Sequence, residues 1–408
     1  MWSQDELEFC GWRIRTPALV MTNASIHLTG RCCGPNLCSS KPHVCIGKPP
    51  HQHCTNSSDH QRAEVRAGAE SGLGDDNSLA RIVMKTSTDN GRTWGGFKVI
   101  SPAAVDGNFL RGYTMGHGLW DRVRERLVMQ YHYFPTNTTR PAANLVTYQM
   151  ISTDDGASFS TPRDISDQVR ACSPSAANMA YLSAGSKIQT QSGRMLWPAH
   201  SFGGSACVWF SDDGGESYQT SNILDANEIS IAELTRDSKG RRPAVAKEVG
   251  DRLLLNGRCG NHAWCSKSCV ASDGACNNRT RYISTDGGAH WGAGTPSALL
   301  DDGDGCARSL LNVRGVLYTA EPQGPHRSSM VLQCSLDGGV TWPRQLAVNG
   351  NGSGGYSTLA GPVAGLAGLE SLVLVWEHGG SGEGDDGNMY SGLIDTRWCT
   401  GKSDSQMA

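Results

Sequence analysis

Cysteine is the residue type in this chain best suited to covalent or metal chemistry, and the 408 residues include 15 of them. Nine fall in two clusters, which are Cys32, Cys33, Cys38, Cys45 and Cys54, and then Cys259, Cys265, Cys269 and Cys276. The spacings within the clusters do not repeat the C-x2-C pattern of zinc sites. The cysteines therefore favour a disulfide framework over free thiols, with a bound metal as the least favoured interpretation.

A disulfide framework predicts an oxidising compartment. Sequons agree with the secretory pathway and occur at Asn23, Asn56, Asn137, Asn278 and Asn351. Residues 1–26 contain no signal-peptide run, which predicts that a leader was lost from this sequence or that the gene model starts late. No apolar stretch reaches the length of about 18 residues that spans a membrane. We expect an extracellular or lysosomal protein without a transmembrane segment, with association to a membrane surface left open.

The formal net charge of −3 gives no basic surface of the kind that nucleic acids require. We therefore predict no nucleic-acid partner, whereas a small anionic substrate can still bind to a local group of arginines. The sequence carries no signal for the oligomeric state.

Five copies of the pattern S-x-D-x-G-x-[ST]-aromatic divide the chain, and only His290 departs from it. They begin at Ser87, Ser152, Ser211, Ser284 and Ser335. The Asp side chain can accept hydrogen bonds from the amides of its own turn, and the Gly adopts a positive φ that other residues resist. The pattern thus predicts hairpin turns, and its recurrence predicts a repeat architecture.

The spacing between successive boxes accommodates a small antiparallel sheet of roughly four strands per repeat. Apolar runs of strand length lie between the turns: Leu79 to Lys85, Arg126 to His132, Leu145 to Ile151, Arg194 to Pro198, Arg252 to Asn256, Val316 to Ala320, Met330 to Cys334 and Leu372 to Trp376. We predict one all-β domain over residues 1–408 with a Cys-rich insertion at about 31–60. The run from Asn388 to Trp398 is interpreted as a last strand that returns to the first blade, and His117 as an ordinary loop residue.

The boxes resemble the Asp boxes of the sialidase (neuraminidase) superfamily, and other motifs similar to those of that family follow in order. They are Arg15-Thr16-Pro17, Ala63-Glu64-Val65-Arg66, Asp76 ahead of the first box, Asn227-Glu228, Leu253 to Arg258, Cys306 to Leu311 with Arg327, Gly355-Tyr356-Ser357-Thr358-Leu359, and Val375-Trp376-Glu377. Thr16 replaces the usual apolar residue, and the interval from Glu228 to Arg258 is wider than the family pattern. The resemblance implies a six-bladed β-propeller with Asp-box hairpins.

The resemblance also implies roles for individual residues. Arg15, Arg66, Arg258 and Arg327 would bind the substrate, with Arg13 as the neighbouring alternative to Arg15. Tyr356 would be the nucleophile, and Asp76 the acid/base, with Asp75 beside it as an alternative. Glu228 would partner the nucleophile, with Glu233 in reserve.

These residue types suit an anionic sugar. Guanidinium groups bind a carboxylate in a bidentate manner and keep their charge when they are partly desolvated. A neutral phenol is the better nucleophile beside the negative charge of a sialic acid, and sialidases use tyrosine in this way. A nearby carboxylate can take the phenol proton during attack. This chemistry needs neither cofactor nor metal.

The resemblance therefore implies a retaining exo-α-sialidase that releases terminal sialic acids from glycoproteins, glycolipids such as gangliosides, and oligosaccharides. A sialylated glycan would be its substrate. A trans-sialidase or a hydrolase of deaminated sialic acid is an alternative, and a catalytically inactive sialic-acid-binding propeller is another.

Overall fold

The computed structural model of the protein describes residues 13–33, 80–96, 98–101, 112–134, 145–175, 179–201, 204–234, 252–261, 264–265, 278–300, 306–324, 327–350, 352, 354–364, 370–378 and 388–401. Within these residues the chain forms six antiparallel sheets in a ring, which is a six-bladed β-propeller. Both the all-β class and the number of blades agree with the sequence-based prediction. No helix among the described residues is long and apolar enough to cross a membrane.

The first three blades run in chain order. The first contains β1 (Arg13–Met21), β2 (Ile26–Cys33), β3 (Ala80–Ser87) and β4 (Lys98–Val99). The second contains β5 (Gly112–Asp121), β6 (Arg126–Phe134), β7 (Val146–Ser152) and β8 (Arg163–Asp164). The third contains β9 (Tyr181–Leu182), β10 (Ile188–Gln189), β11 (Met195–His200), β12 (Ser205–Ser211), β13 (Gln219–Thr220) and β14 (Leu224–Asp225).

The remaining blades complete the ring. The fourth contains β15 (Asn227–Glu233), β16 (Leu253–Arg258), β19 (Asn278–Ser284) and β20 (Thr295–Leu300), and a separate ribbon is formed by β17 (Gly260–Asn261) and β18 (Trp264–Cys265). The fifth contains β21 (Ser309–Val313), β22 (Val316–Gly324), β23 (Ser328–Ser335) and β24 (Arg344–Ala347). The sixth contains β25 (Ser357–Ala364), β26 (Glu370–His378) and β27 (Asn388–Asp395). Short helices are α1 (Ser166–Val169), a 3-10 turn (Arg170–Cys172) and α2 (Arg397–Thr400).

The core lies between neighbouring blades, because each middle strand is covered on both faces. All six residues of β11 and of β16 are buried. Blades one and six share one apolar cluster that includes Leu28, Val83 and Val373. The amide of Leu19 on β1 also donates a hydrogen bond to Oγ1 of Thr358 on β25, at 3.1 Å. The first and last blades are thus joined by side-chain packing.

The predicted last strand forms β27 and ends at Asp395, and Trp398 lies in α2. It hydrogen-bonds to β26 within blade six and packs against blade one, because its Met389 lies in the apolar cluster with Leu28. The prediction of a loop at His117 is wrong, since this residue lies on β5 and is fully buried. Strand β2 continues through Cys33, into the segment predicted as an insertion, and residues 34–60 lie outside the described residues.

Each Asp box forms the same turn at the end of the third strand of a blade. The box serine donates to the box aspartate at 2.7–2.8 Å and accepts from a glycine amide at 2.7–2.8 Å. Those glycines have φ between 78° and 92°, as the pattern predicted. In the fourth box the ring of His290 takes the place of the hydroxyl and lies 2.7 Å from Asp286. The boxes in blades one to five are therefore structural turns.

Cationic side chains link each of the first three blades to the box of the next blade. Lys98 donates to the carbonyl of Ala157 at 3.1 Å, and Arg163 donates to that of Glu216 at 2.8 Å. Arg194 donates to the carbonyl of Gly287 at 3.1 Å. These hydrogen bonds join successive blades on the face of the ring that carries the boxes.

Candidate active site

Four of the predicted site residues lie at the same end of their sheets. Glu228 is near the start of β15 and Arg258 ends β16, and because these strands are antiparallel both residues are at one edge. Tyr356 immediately precedes β25, and Arg327 immediately precedes β23. The structure thus brings together side chains from blades four, five and six that are far apart in sequence.

Tyr356 and Glu228 are directly hydrogen-bonded. The phenol hydroxyl donates to Oε1 of Glu228, and Nη1 of Arg258 lies 2.8 Å from the other carboxylate oxygen, Oε2. All three residues are at most 8% exposed. The carboxylate therefore holds the phenol on one side and a guanidinium on the other, as a general base beside a nucleophile would.

The backbone at Glu228 is bent so that its side chain faces the phenol. The pairing of β15 with β16 shifts register between Asn227 and Ile229, which leaves Glu228 as the extra residue of a bulge. Its φ is 36°, a conformation that favours glycine. The side-chain oxygen of Asn227 accepts a hydrogen bond from the Glu228 amide at 2.9 Å and holds this bend.

The same environment keeps Glu228 ionised. Burial by itself would raise the pKa of its carboxyl, but the Arg258 guanidinium, His200 and the hydrogen bonds from Tyr356 and Arg258 outweigh burial and lower the pKa to about 2. The group is therefore a carboxylate at any pH at which the protein is expected to work, and it can accept a proton from the phenol.

Arg327 covers the ring of Tyr356. Its guanidinium carbon lies 5.2 Å from the ring centroid, which is within the range of a cation–π contact. Arg327 has φ 55°, and its carbonyl accepts a hydrogen bond from the Gly354 amide at 2.6 Å. Burial by itself would lower the pKa of Arg327. Its neighbours Cys306, Tyr356, Glu377 and Glu228 outweigh burial and raise the pKa above its usual value, so the guanidinium stays charged.

Glu377 fixes the backbone of Tyr356. Its Oε2 accepts a hydrogen bond from the Tyr356 amide at 3.2 Å, and its own amide donates to the Tyr356 carbonyl at 3.0 Å. A Cβ on Gly355 would lie 2.7 Å from the same Oε2. Residue 355 therefore has to be glycine for the Glu377 carboxylate to reach the Tyr356 amide.

The structure shows which of the two candidate glutamates on β15 lies beside Tyr356. Glu233 ends β15, at the edge away from Tyr356, and its Oε2 accepts a hydrogen bond from the Gln191 amide at 2.9 Å. Glu228 is therefore the one that contacts the phenol.

Several other predicted residues cannot be placed. Arg15 lies on β1 opposite Arg31, but its side chain, like that of Arg13, is outside the described part of the chain. Arg66, Asp76 and the alternative Asp75 also lie outside the described residues. Their roles stay predictions.

Sequence inspection did not foresee the two arginines buried beneath the site. Arg279 and Arg308 are at most 1% exposed and share the carboxylate of Glu321. Nη1 of Arg279 also donates to the carbonyl of Cys306 at 3.1 Å. Arg308 belongs to the same matched stretch as Arg327, and its burial and its ion pair with Glu321 distinguish it from Arg327, which covers the Tyr356 ring.

Residues 63–361 match the family described as BNR repeat-like domain. The chain belongs to this family. It is a BNR-repeat protein of the sialidase superfamily, in agreement with the resemblance found in the sequence.

A curated relative of this BNR-repeat protein carries the name sialidase. It is the sialidase of Bacteroides fragilis (strain YCH46), which is 26% identical over 226 residues, covering 51% of this chain and 36% of the relative. The chain thus spans about a third of the length of that curated relative.

Solved structures share the propeller fold. The Hadza microbial sialidase Hz136 superposes with a TM-score of 0.66 at 18% identity, over 96% of this chain and 67% of the other. The leech intramolecular trans-sialidase, solved with 2,7-anhydro-Neu5Ac, gives a TM-score of 0.66 at 13% identity, over 97% of this chain and 70% of the other. The intramolecular trans-sialidase of Ruminococcus gnavus, in complex with oseltamivir carboxylate, gives a TM-score of 0.62 at 12% identity, over 95% of this chain and 94% of the other. At these identities the likeness concerns the fold alone.

Proposed function

We propose that this protein is a retaining exo-α-sialidase that releases terminal sialic acids from glycoproteins, glycolipids such as gangliosides, and oligosaccharides. The observation that carries the proposal is the hydrogen bond from Tyr356 to the ionised carboxylate of Glu228, with Arg258 and Arg327 at the same point. A tyrosine paired with a carboxylate inside an arginine cluster suits a sugar that has a carboxylate on its anomeric carbon.

The arginines would bind the substrate carboxylate. Arg258 and Arg327 approach Tyr356 from different blades, and both stay charged in a largely buried environment. Arg15, as the third member, and Arg66 are proposed on the sequence motifs. Such a cluster would hold the anomeric carbon over the phenol oxygen, because the carboxylate and that carbon are directly bonded.

The reaction would proceed in two balanced steps. The Tyr356 oxygen forms a bond to the anomeric carbon as the glycosidic bond breaks; Glu228 takes the phenol proton, and Asp76 donates a proton to the leaving oxygen. Water then attacks the anomeric carbon, Asp76 takes a proton from it, and the phenol recovers its proton from Glu228. Two displacements at one carbon give retention of configuration.

Turnover of a fluorogenic 4-methylumbelliferyl α-sialoside by the Tyr356→Phe variant tests the proposal. Removing the hydroxyl should abolish release of the fluorophore, whereas Tyr148→Phe, a tyrosine half-buried on β7, should leave it unchanged. Circular dichroism checks that both variants are folded. Retained turnover in Tyr356→Phe would show that Tyr356 is not the nucleophile. If proton NMR showed that the first sugar released has the inverted anomeric configuration, the retaining mechanism would be rejected.

Product analysis separates the alternatives. Sialic acid released into water identifies a hydrolase, transfer to an added galactoside identifies a trans-sialidase, and 2,7-anhydro-sialic acid identifies an intramolecular trans-sialidase. Faster turnover of a deaminated donor would identify a hydrolase of that sugar. Binding of sialylated glycans without any released sugar would identify a binding propeller.

We also propose that the protein functions in the secretory pathway, outside the cell or in lysosomes. Disulfide bonds join Cys172 to Cys207 and Cys334 to Cys399, and Cys259 is disulfide-bonded as well. Bonds of this kind persist in oxidising compartments. Peptide mapping of the native protein without reduction should recover both described pairs; finding these cysteines as free thiols would contradict the location.

A further inference from the structure

The hairpin turn between β1 and β2 presents a sequon to solvent. The turn spans Thr22 to Ser25, and the Thr22 amide donates to the Ser25 carbonyl at 2.9 Å. Oγ1 of Thr22 accepts hydrogen bonds from the amides of Ala24 at 3.1 Å and Ser25 at 2.9 Å, so the first residue of the turn fixes its shape. Asn23 and Ala24 form the exposed tip. The sequon Asn23-Ala24-Ser25 therefore occupies a well-defined turn that faces solvent.

The turn lies on the face of the ring that carries the Asp boxes. Ile26, the first residue of β2, pairs with Ser87, the first residue of the first box. The candidate active site is at the opposite edge of the sheets, because Arg327 precedes β23 and the box residue Ser335 ends it. A group attached at the turn is therefore on the other side of the propeller from Tyr356.

The side-chain amide of Asn23 can carry a bulky group at little cost to the fold. Its Nδ2 donates to Oε1 of Glu125 at 3.5 Å, which is the outer limit of a hydrogen bond. A bond from Nδ2 to a sugar leaves one N–H, so this contact can persist. The turn of blade two that contains Glu125 also carries Val123, which is 66% exposed. A hydrophilic glycan at Asn23 would thus lie beside an exposed apolar side chain.

The hydroxyl of Ser25 is engaged inside the folded protein. Ser25 is 5% exposed, and its Oγ donates to Oδ2 of Asp155, in the second Asp box, at 2.5 Å. The same Oγ lies 3.1 Å from Nε2 of the fully buried His27. The sequon requires a hydroxyl residue two positions after the asparagine. Once blade one has packed against the second box, this hydroxyl is out of reach of a modifying enzyme.

The other sequons differ from that of Asn23. Asn278 begins β19 and is half-buried, and Arg279 and Thr280 beside it are fully buried. Three further sequons lie outside the described residues, at Asn56, Asn137 and Asn351. Within the described part of the chain, Asn23 is thus the sequon asparagine at an exposed turn.

We propose that Asn23 carries an N-linked glycan, attached before blade one packs against the second Asp box. The co-reactant is an oligosaccharide linked to a lipid diphosphate. A bond forms between Nδ2 of Asn23 and the anomeric carbon of the sugar as the bond from that carbon to the diphosphate oxygen breaks. The diphosphate leaves with the electron pair, and the amide loses one proton. This attachment takes place in the secretory pathway, so the inference rests on the proposed location of the protein.

Mass spectrometry of the full chain, secreted from mammalian cells behind a signal sequence, tests the modification. The tryptic peptide from Thr16 to Arg31 contains no other asparagine and no cysteine. Removing N-linked glycans with peptide N-glycosidase F in heavy-oxygen water should convert Asn23 to a labelled aspartate. Asn23→Gln should lose one glycan, and Ala24→Ser, which preserves the sequon, should keep it. An unlabelled Asn23 in the secreted parent would overturn the proposal.

A second experiment tests the order of attachment and folding. Purified oligosaccharyltransferase, supplied with the lipid-linked oligosaccharide, receives either a synthetic peptide of residues 16–31 or the folded, unglycosylated full chain. The peptide should be modified at Asn23 and the folded chain should not, because the Ser25 hydroxyl is held by Asp155. Modification of the folded chain at the same rate as the peptide, or an unmodified peptide, would contradict the proposal.

Failure of this inference is distinguishable from failure of the proposed location. Protein with both described disulfide pairs intact but Asn23 unmodified would overturn the glycan and leave the location standing. Free thiols at those cysteines would instead contradict the location. Neither experiment depends on sialidase turnover, so both leave the proposed activity untouched.

Discussion

The hydroxyl of Tyr356 donates a hydrogen bond to the carboxylate of Glu228 across 128 positions of sequence. The bond joins blade six to blade four, and Arg258 closes the other side of the same carboxylate. A phenol has little tendency to lose its proton at neutral pH, so in the proposed reaction the hydrogen-bonded carboxylate would make Tyr356 a competent nucleophile.

Glu228→Gln should therefore lose turnover while the arginines stay in place. A neutral amide cannot accept the phenol proton, so we expect kcat to fall by at least about 100-fold. The matched control is Glu216→Gln, an exposed residue of the third Asp box, which should retain activity. Steady-state kinetics on the fluorogenic sialoside measures both; activity within a few-fold of the parent in Glu228→Gln would exclude Glu228 as the base.

The lowered pKa of Glu228 also predicts a pH dependence of stability. Since the folded pKa is about 2 and the unfolded value is about 4.5, the unfolded chain binds the proton first as pH falls. The contribution, on the order of 3 kcal/mol, is complete above pH 4.5 and is lost as pH falls toward 2. Urea unfolding of the parent and of Glu228→Gln should therefore show a difference that shrinks on acidification below pH 4.5; a difference that grows would contradict the shift.

Arg327→Lys should weaken substrate binding although it preserves the charge. Lysine cannot present two parallel N–H donors to a carboxylate or stack flat on the Tyr356 ring. We expect kcat/KM to fall by roughly 100-fold, equivalent to about 3 kcal/mol. Arg170→Lys, at a surface pair with Asp167, serves as the control and should behave like the parent. Equal kcat/KM in Arg327→Lys and the parent would remove Arg327 from the substrate site.

Gly355→Ala should impair catalysis more than folding. The added methyl would displace the Glu377 carboxylate from the Tyr356 amide, so the phenol would lose its position over the substrate. We expect kcat to fall by about tenfold or more, with Tm lowered by only a few degrees. Gly96→Ala, where nothing lies within 4 Å of the new methyl, is the control. Unchanged kcat in Gly355→Ala would show that Glu377 does not position Tyr356.

Asp213→Ala should lower the stability of the fold and leave catalysis unchanged. The Asp213 carboxylate accepts hydrogen bonds from Ser211, Glu216 and Ser217 in the third box. Losing it should lower stability by about 2 kcal/mol. Asp167→Ala, whose carboxylate is 92% exposed, should have little effect. Differential scanning calorimetry measures the loss, and turnover below Tm should be unchanged; an active-site role for the box would instead lower kcat.

The turns and many strands were predictable because their causes are local. A serine, an aspartate and a glycine within five positions are enough to determine the box turn, wherever it occurs. The register and ring order that bring Glu228 to Tyr356 have no local signal, so the sequence alone kept Glu233 in reserve as the alternative to Glu228. Their positions at opposite ends of β15 and the bulge at Glu228 decide between them.

Burial is the other property that the sequence could not provide. Arg308 and Arg327 are both arginines of one matched stretch, yet Arg308 is 1% exposed and forms an ion pair with Glu321. His117, flanked by two glycines, has the composition of a loop, but those glycines let β5 pack closely on blade one. In both cases the neighbours that decide the outcome come from other strands or other blades.

The positive φ angles of Glu228 and Arg327 limit how this enzyme candidate can be engineered. Each conformation costs a non-glycine residue on the order of 1 kcal/mol, yet glycine would also remove the Glu228 carboxylate that pairs with Arg258 and the Arg327 guanidinium that covers the Tyr356 ring. A glycine substitution would relieve the backbone but delete the side chain that the proposed site needs, which makes these two codons the ones to hold constant during directed evolution.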